Sequence, residues 1–135
     1  MSLVNWFKRA TAPPSSPRLE GLIESVVAYL KTRPPDEEIR PHIVGRAISE
    51  NELAAMTALS ILERQGITKH HFGVYCGDKG VPIGSYDDLA DVPPFSYCDA
   101  CGIEHCSSDK TCRVEIYFTV DRDKLASFRK EASAA

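Results

Sequence analysis

Cysteine spacing constrains this chain more than any other feature of its sequence. Four of the five cysteines lie between residues 98 and 112, spaced as Cys98-x2-Cys101-x4-Cys106-x5-Cys112, and the fifth, Cys76, lies upstream. The Cys98–Cys101 pair precedes Gly102, so one tight turn brings both sulfurs within reach of a single cation. This density of thiols favours a tetrahedral zinc ion, and an odd cysteine count fits a disulfide framework poorly.

We expect one zinc ion per chain, held by four of five cysteines. Cys98 and Cys101 are the strongest candidates, and His105 is a further candidate for the last position through its Cys101-x3-His105 spacing. An iron–sulfur cluster is a minor alternative, because the spacing matches neither the bacterial nor the plant ferredoxin pattern. The five expected ligands are Cys76, Cys98, Cys101, Cys106 and Cys112.

Length, charge and hydropathy narrow the class of protein. With 135 residues, of which 43% are hydrophobic, the chain is long enough for one compact domain with a small metal-bound lobe. A net charge of −3 and a pI near 5.8 argue against nucleic-acid binding that depends mainly on charge. We find no apolar run of membrane-spanning length and no signal-peptide pattern, so the expected location is the cytoplasm, where thiols stay reduced.

The first half of the chain is predicted to be helical. Residues 1–17 form a separate segment that carries Trp6 and Phe7 ahead of a Pro/Ser-rich linker. Apolar residues then recur at helical spacing from residue 18 until Pro34-Pro35. A short helix is expected over residues 41–48 and a longer one over 50–65, the latter opened by a capping box between Ser49 and Glu52 and stopped by Gly66.

The second half alternates with a period of two in two places. Ile67–Cys76 and residues 113–120 are each predicted to be a strand, and the two are expected to pair antiparallel. A short helix follows near Asp123–Lys130, whereas residues 77–112 are rich in turn residues and cysteines. Since Cys76 ends the first strand and Cys112 begins the second, both are expected to lie side by side at the base of the segment that connects the two strands.

Three helices followed by an antiparallel strand pair resemble a winged helix-turn-helix domain, and residues 43–67 carry the resemblance. It implies an α+β fold with a winged-helix-like core over 18–76 and 113–131, while 77–112 form a zinc-pinned lobe inserted in the wing. The cysteines with Cys76 also resemble a zinc ribbon in which Lys79 replaces one cysteine of the first knuckle. Without Cys76 they resemble a zinc knuckle with Cys106 in place of the usual histidine.

A closed thiolate site suits a structural role, and no nucleophile, base or phosphate-binding pattern accompanies it, so we expect no enzymatic activity. The favoured hypothesis is a small zinc-binding adaptor that docks a protein partner through Trp6, Phe7 and Leu53. One alternative is a winged-helix DNA-binding regulator, and a second is a thiol-based redox sensor. The oligomeric state is left open. The residues expected to contact DNA are Arg40, Arg46, Arg64 and Lys69.

Overall fold

The computed structural model describes residues 17–106 and 111–128, which form an α+β structure. Its helices are α1 (Pro17–Lys31), α2 (Pro41–Ala47), α3 (Glu52–Arg64) and α4 (Arg122–Ala126). Its strands are β1 (Thr68–Cys76), β2 (Pro82–Tyr86), β3 (Phe95–Cys98), β4 (Ile103–Cys106) and β5 (Cys112–Val120), with a 3-10 turn at Leu89–Asp91. None of the helices in these ranges has the length and apolar character needed to cross a bilayer.

The chain divides into two compact units. Among the described residues, a helical unit contains 17–69 and 119–128, and a strand-rich unit contains 70–106 and 111–118. The division falls inside β1 and β5, whereas the sequence placed the boundaries of the lobe at residues 77 and 112. Most of both strands therefore belongs with the cysteine-rich segment.

In the helical unit, α1 and α3 each bury one apolar stripe, as the helical spacing of their apolar residues predicts, whereas α2 buries Val44 but leaves Ile43 44% exposed. Within this unit Arg122, at the start of α4, ties α4 to the end of α1, because its guanidinium donates to the carbonyls of Leu30 and Pro34, each at 2.8 Å. The buried apolar side chains of this unit are Ile23, Val26, Val27, Leu30, Ile39, Val44, Ala55, Ala58, Leu59, Leu62, Ile67 and Leu125.

The turn between α2 and α3 is tight, and glycine makes it so. The Glu50 N–H donates to the Gly45 carbonyl at 2.7 Å, and a Cβ on Gly45 would lie 2.9 Å from the carbonyl oxygens of both Glu50 and Asn51.

The predicted capping box at the start of α3 is wrong. Ser49 has a φ of 61°, and an N-cap needs extended backbone, so Asn51 caps α3 by accepting from the Ala54 N–H at 2.7 Å.

The strand-rich unit holds most of one three-stranded sheet and all of a separate β-hairpin. In the sheet β1 lies between β2 and β5, and β1 pairs antiparallel with β2 from Phe72 opposite Tyr86 to Val74 opposite Gly84, followed by a bulge. The hairpin is formed by β3 and β4, which pair antiparallel. The sequence predicted β1 and β5 but did not predict β2, β3 or β4.

Candidate metal centre

Four side chains of the strand-rich unit converge on one point. Cys76, Cys98, Cys101 and His105 each offer a ligand atom, and these four atoms lie within 4.8 Å of one another. Cys76, Cys98 and His105 are buried, with exposed fractions of 0%, 2% and 2%, whereas Cys101 is partly exposed. These four residues therefore lie close enough together to bind a single metal ion.

The closest distances match the edges of a tetrahedral site. The Cys76 sulfur lies 3.6 Å from the Cys101 sulfur and 3.6 Å from His105 Nε2. With Zn–S near 2.3 Å and Zn–N near 2.0–2.1 Å, tetrahedral ligand atoms stand about 3.8 Å apart for two sulfurs and about 3.5–3.6 Å apart for sulfur and nitrogen. The side chains fit a small cation that takes sulfur and nitrogen ligands.

Two turns of the same backbone shape position the thiols. After β1, the Gly80 N–H donates to the Cys76 carbonyl at 2.8 Å, and after β3 the Gly102 N–H donates to the Cys98 carbonyl at 2.7 Å. Gly80 and Gly102 both have positive φ, 68° and 72°, a conformation that residues with a Cβ adopt at a cost. Each turn has the pattern Cys-x3-Gly, starting at Cys76 in one turn and at Cys98 in the other. The residue just before the glycine is Lys79 in the first turn and Cys101 in the second.

Lys79 stands where a second cysteine of the first turn would be expected, and it contacts the other turn. Its ammonium donates to the carbonyl of Ala100 at 2.7 Å. Ala100 lies between Cys98 and Cys101 along the chain, so this hydrogen bond joins the two cysteine-bearing turns. Lys79 thus links the turns through a polar contact.

The environment of Cys76 favours its thiolate. Backbone N–H groups of Lys79 and Asp78 hydrogen-bond to its sulfur, and together with Cys101 and His105 they lower the pKa of the Cys76 thiol to about 7, against the opposing effect of burial. Cys101 shows the reverse, because its hydrogen bond to Cys76 and its partial burial raise the pKa of its thiol to about 11. The same contact between the two sulfurs therefore favours the thiolate of Cys76 and the protonated thiol of Cys101.

His105 reaches the cluster from β4, which the sequence did not predict. In the β3–β4 hairpin Ser96 lies opposite His105, and Cys98 lies opposite Ile103. Side chains directly opposite each other point to the same face, so Cys98 and His105 occupy the inner face of the hairpin. The signal in the sequence for β3 is the alternation of aromatic with small residues from Phe95 to Cys98.

The structure brings only some of the expected metal ligands together. It brings Cys76, Cys98 and Cys101 together with His105, which was expected only as an outside candidate. Cys112 is buried at the start of β5 but does not belong to this group of converging residues. Cys106 ends β4, and its side chain lies outside the part of the chain that the structure describes, so the prediction for it remains a prediction.

The residues expected to dock a partner or contact DNA lie elsewhere. Leu53 on α3 is 75% exposed, whereas Trp6 and Phe7 lie outside the described residues. The Arg40 guanidinium donates to the Glu38 carboxylate at 2.9 Å. The other residues expected to contact DNA, Arg46, Arg64 and Lys69, are all exposed.

No family model, curated protein or solved structure shows significant similarity to this chain. The function must therefore be argued from the site and the surfaces around it.

Proposed function

We propose that this chain is a small, non-enzymatic adaptor in which one zinc ion stabilises the strand-rich unit and an exposed aromatic face of that unit binds a protein partner. The metal is zinc because three thiolates and one imidazole form a Cys3His donor set, which is typical of closed structural zinc sites. The four described cysteines form no disulfide, which supports a reducing compartment such as the cytoplasm.

One observation carries the interaction part of the proposal: strand β3 alternates between exposed aromatic residues and buried residues, and the last of the buried residues is the candidate ligand Cys98. Ser96 and Cys98 are buried, whereas Phe95 and Tyr97 are 58% and 59% exposed. Since alternate residues of a strand point to opposite faces, the metal fixes the inner face of the hairpin while the outer face presents two aromatic rings to solvent. Exposed aromatic residues on a rigid element are the usual energetic centre of a protein interface.

The charge around this outer face specifies the kind of partner. Glu104 lies opposite Tyr97 in the hairpin and is exposed, and Asp99 is exposed in the adjoining turn. Carboxylates beside aromatic rings favour a partner segment that combines apolar and basic side chains, and they disfavour a phosphate backbone. We therefore favour protein over nucleic acid as the partner.

The winged-helix-like arrangement of the helical unit belongs to the same proposal. It is supported by the order of α1, α2 and α3 and by the tight Gly45 turn, a feature of helix-turn-helix motifs. The alternative of a DNA-binding regulator rests on exposed Arg46, Arg64 and Lys69. It is weaker, because Glu52 in the first turn of α3 would repel phosphates beside the expected recognition surface.

A double substitution of the outer face tests the proposal. A partner captured by crosslinking would be purified, and its affinity for this protein measured by calorimetry. Phe95→Ser with Tyr97→Ser should weaken binding at least tenfold, since each buried aromatic side chain is worth about 1.5–3 kcal/mol. Leu89→Ser is the matched control, because Leu89 is 58% exposed in the same unit but lies outside the hairpin.

Two results would contradict the proposal that the outer face of the hairpin binds a protein partner. Unchanged affinity in the Phe95 and Tyr97 double variant, with zinc still bound, would remove the hairpin face from the interface. Tight binding to duplex DNA that collapses as salt rises and is weakened by Arg46→Glu would favour the regulator instead.

A further inference from the structure

Two buried polar atoms of the β3–β4 hairpin have no hydrogen-bond partner: the hydroxyl oxygen of Ser96 and Nδ1 of His105. Ser96 is 8% exposed and His105 is 2% exposed. A buried polar atom without a partner has lost its hydrogen bonds to water and gained none in return, so such atoms are rare in native proteins. Two of them on a single small hairpin require an explanation.

The hairpin register places these two residues directly opposite each other. Opposed residues of an antiparallel pair point to the same face, with Cβ atoms about 4.5–5.5 Å apart. The serine oxygen is one bond from its Cβ, and Nδ1 is two bonds from that of histidine. A Cβ separation of this size is one that a hydrogen bond between the serine oxygen and Nδ1 spans when the serine rotamer points toward the ring.

The two nitrogens of His105 face different surroundings. Nε2 lies 3.6 Å from the Cys76 sulfur and belongs to the converging group, whereas Nδ1 has no partner there. A histidine that binds a metal through one nitrogen must be neutral and carry its proton on the other, which normally donates to an oxygen. Nδ1 of His105 lacks such an acceptor, and the Ser96 hydroxyl is the unpartnered oxygen opposite it.

We propose that Ser96 is a positioning residue of the metal centre: its hydroxyl oxygen accepts the hydrogen bond that His105 donates from Nδ1–H when Nε2 binds the metal. This inference rests on the proposed zinc site. The hydrogen bond holds the proton on Nδ1, leaves the lone pair of Nε2 for the metal and fixes the plane of the ring. It also satisfies both unpartnered atoms in a single contact.

The experiment compares hydroxyl loss at two positions of the same unit. Ser96→Ala removes the acceptor, Ser96→Thr retains it on a side chain suited to a strand, and Ser85→Ala removes a hydroxyl that hydrogen-bonds to Tyr117 instead, at 2.6 Å. Zinc affinity would be measured by competition with a chromophoric chelator. We expect about a 10- to 100-fold weaker affinity for Ser96→Ala, near-complete rescue in Ser96→Thr and no change in Ser85→Ala.

A spectroscopic measurement on the unmodified protein separates positioning from simple loss of packing. Long-range ¹H–¹⁵N spectra of the zinc-loaded protein should show His105 with Nε2 bound to metal and a slowly exchanging proton on Nδ1. In Ser96→Ala that proton should exchange faster or disappear.

Two results would overturn the inference. One is metal bound through Nδ1 in the unmodified protein, and the other is equal zinc affinity and an equal Nδ1–H signal in Ser96→Ala. If the unmodified protein binds no zinc at all, the proposed function itself fails. This outcome differs from zinc binding whose affinity does not depend on Ser96, which overturns only the inference about Ser96.

Discussion

Replacing Cys98 by serine removes one of the four converging ligands and leaves the other three in place. Structural zinc binds small protein sites with an apparent free energy of about 10–16 kcal/mol at pH 7. Shared among four ligands, this gives about 3 kcal/mol for one thiolate, which is roughly a 100-fold loss of affinity. A serine hydroxyl restores little of it, because it stays protonated at neutral pH.

The loss of affinity converts into a loss of stability. With free zinc buffered at about 1,000 times the dissociation constant, zinc adds about 4.1 kcal/mol to the free energy of unfolding. A 100-fold weaker site leaves about 1.4 kcal/mol of that at the same zinc concentration. The difference of about 2.7 kcal/mol should lower the melting temperature by roughly 10 °C for a chain of this size.

Cys112→Ser is the matched control, because Cys112 is also a buried cysteine outside any disulfide, at the start of β5, but lies outside the converging group. It should retain one zinc per chain, and any destabilisation should be equal with and without zinc. The assay is thermal unfolding in zinc buffers, paired with elemental mass spectrometry of the purified protein. The reasoning is refuted if Cys98→Ser keeps its zinc and its melting temperature, or if Cys112→Ser loses zinc as Cys98→Ser does.

Four further predictions concern the helical unit, and each is checked by chemical or thermal unfolding. Gly45→Ala should destabilise by about 1–3 kcal/mol, because its Cβ would collide with backbone oxygens. Gly21→Ala, within α1 and with nothing within 4 Å of its Cβ, should instead stabilise by about 0.5–1 kcal/mol, and a loss there would contradict the packing described for α1. Asn51→Ala should cost about 1 kcal/mol through loss of the α3 cap, and no loss would mean that another group caps the helix. Glu37→Gln should slightly lower the melting temperature at neutral pH, because its ion pair with Arg33 lowers the pKa of the Glu37 carboxyl. Stability from a lowered carboxyl pKa is present above the unfolded-state value and is lost as pH falls through the folded-state value, so the variant and the unmodified protein should converge in acid.

Helical periodicity predicted the helical unit well. The helix expected from residue 18 onward is α1, and the helices expected over 41–48 and 50–65 are α2 and α3, with ends that differ by at most three residues. The cap of α3 was misassigned because Ser49 and Asn51 are both good capping residues. Only the backbone conformation, with φ positive at Ser49 and extended at Asn51, decides between them.

The strands between residues 77 and 112 were missed for a physical reason. β3 and β4 are four residues long each, too short for alternation to stand out among turn residues and cysteines. Without these strands the sequence could not indicate that His105 shares a face with Cys98. The pairing of Cys98 with Cys101 could be predicted without knowing these strands, because both residues lie on one local turn.

In the proposed zinc site, the two glycine-closed turns explain why the fourth ligand would come from a strand. In a zinc ribbon each turn would supply two ligands, but the first turn here has Lys79 at the second position, and an ammonium cannot bind a cation. The hairpin supplies the missing donor from His105, one strand beyond Cys101. A Cys3His site with Zn²⁺ carries a net charge of −1, against −2 for four thiolates. Lys79, bound to Ala100 between the two ligands of the second turn, lies on the chain segment best placed to offset that remaining charge. Both departures from a four-cysteine ribbon therefore reduce the negative charge that the unit must accommodate around a buried metal.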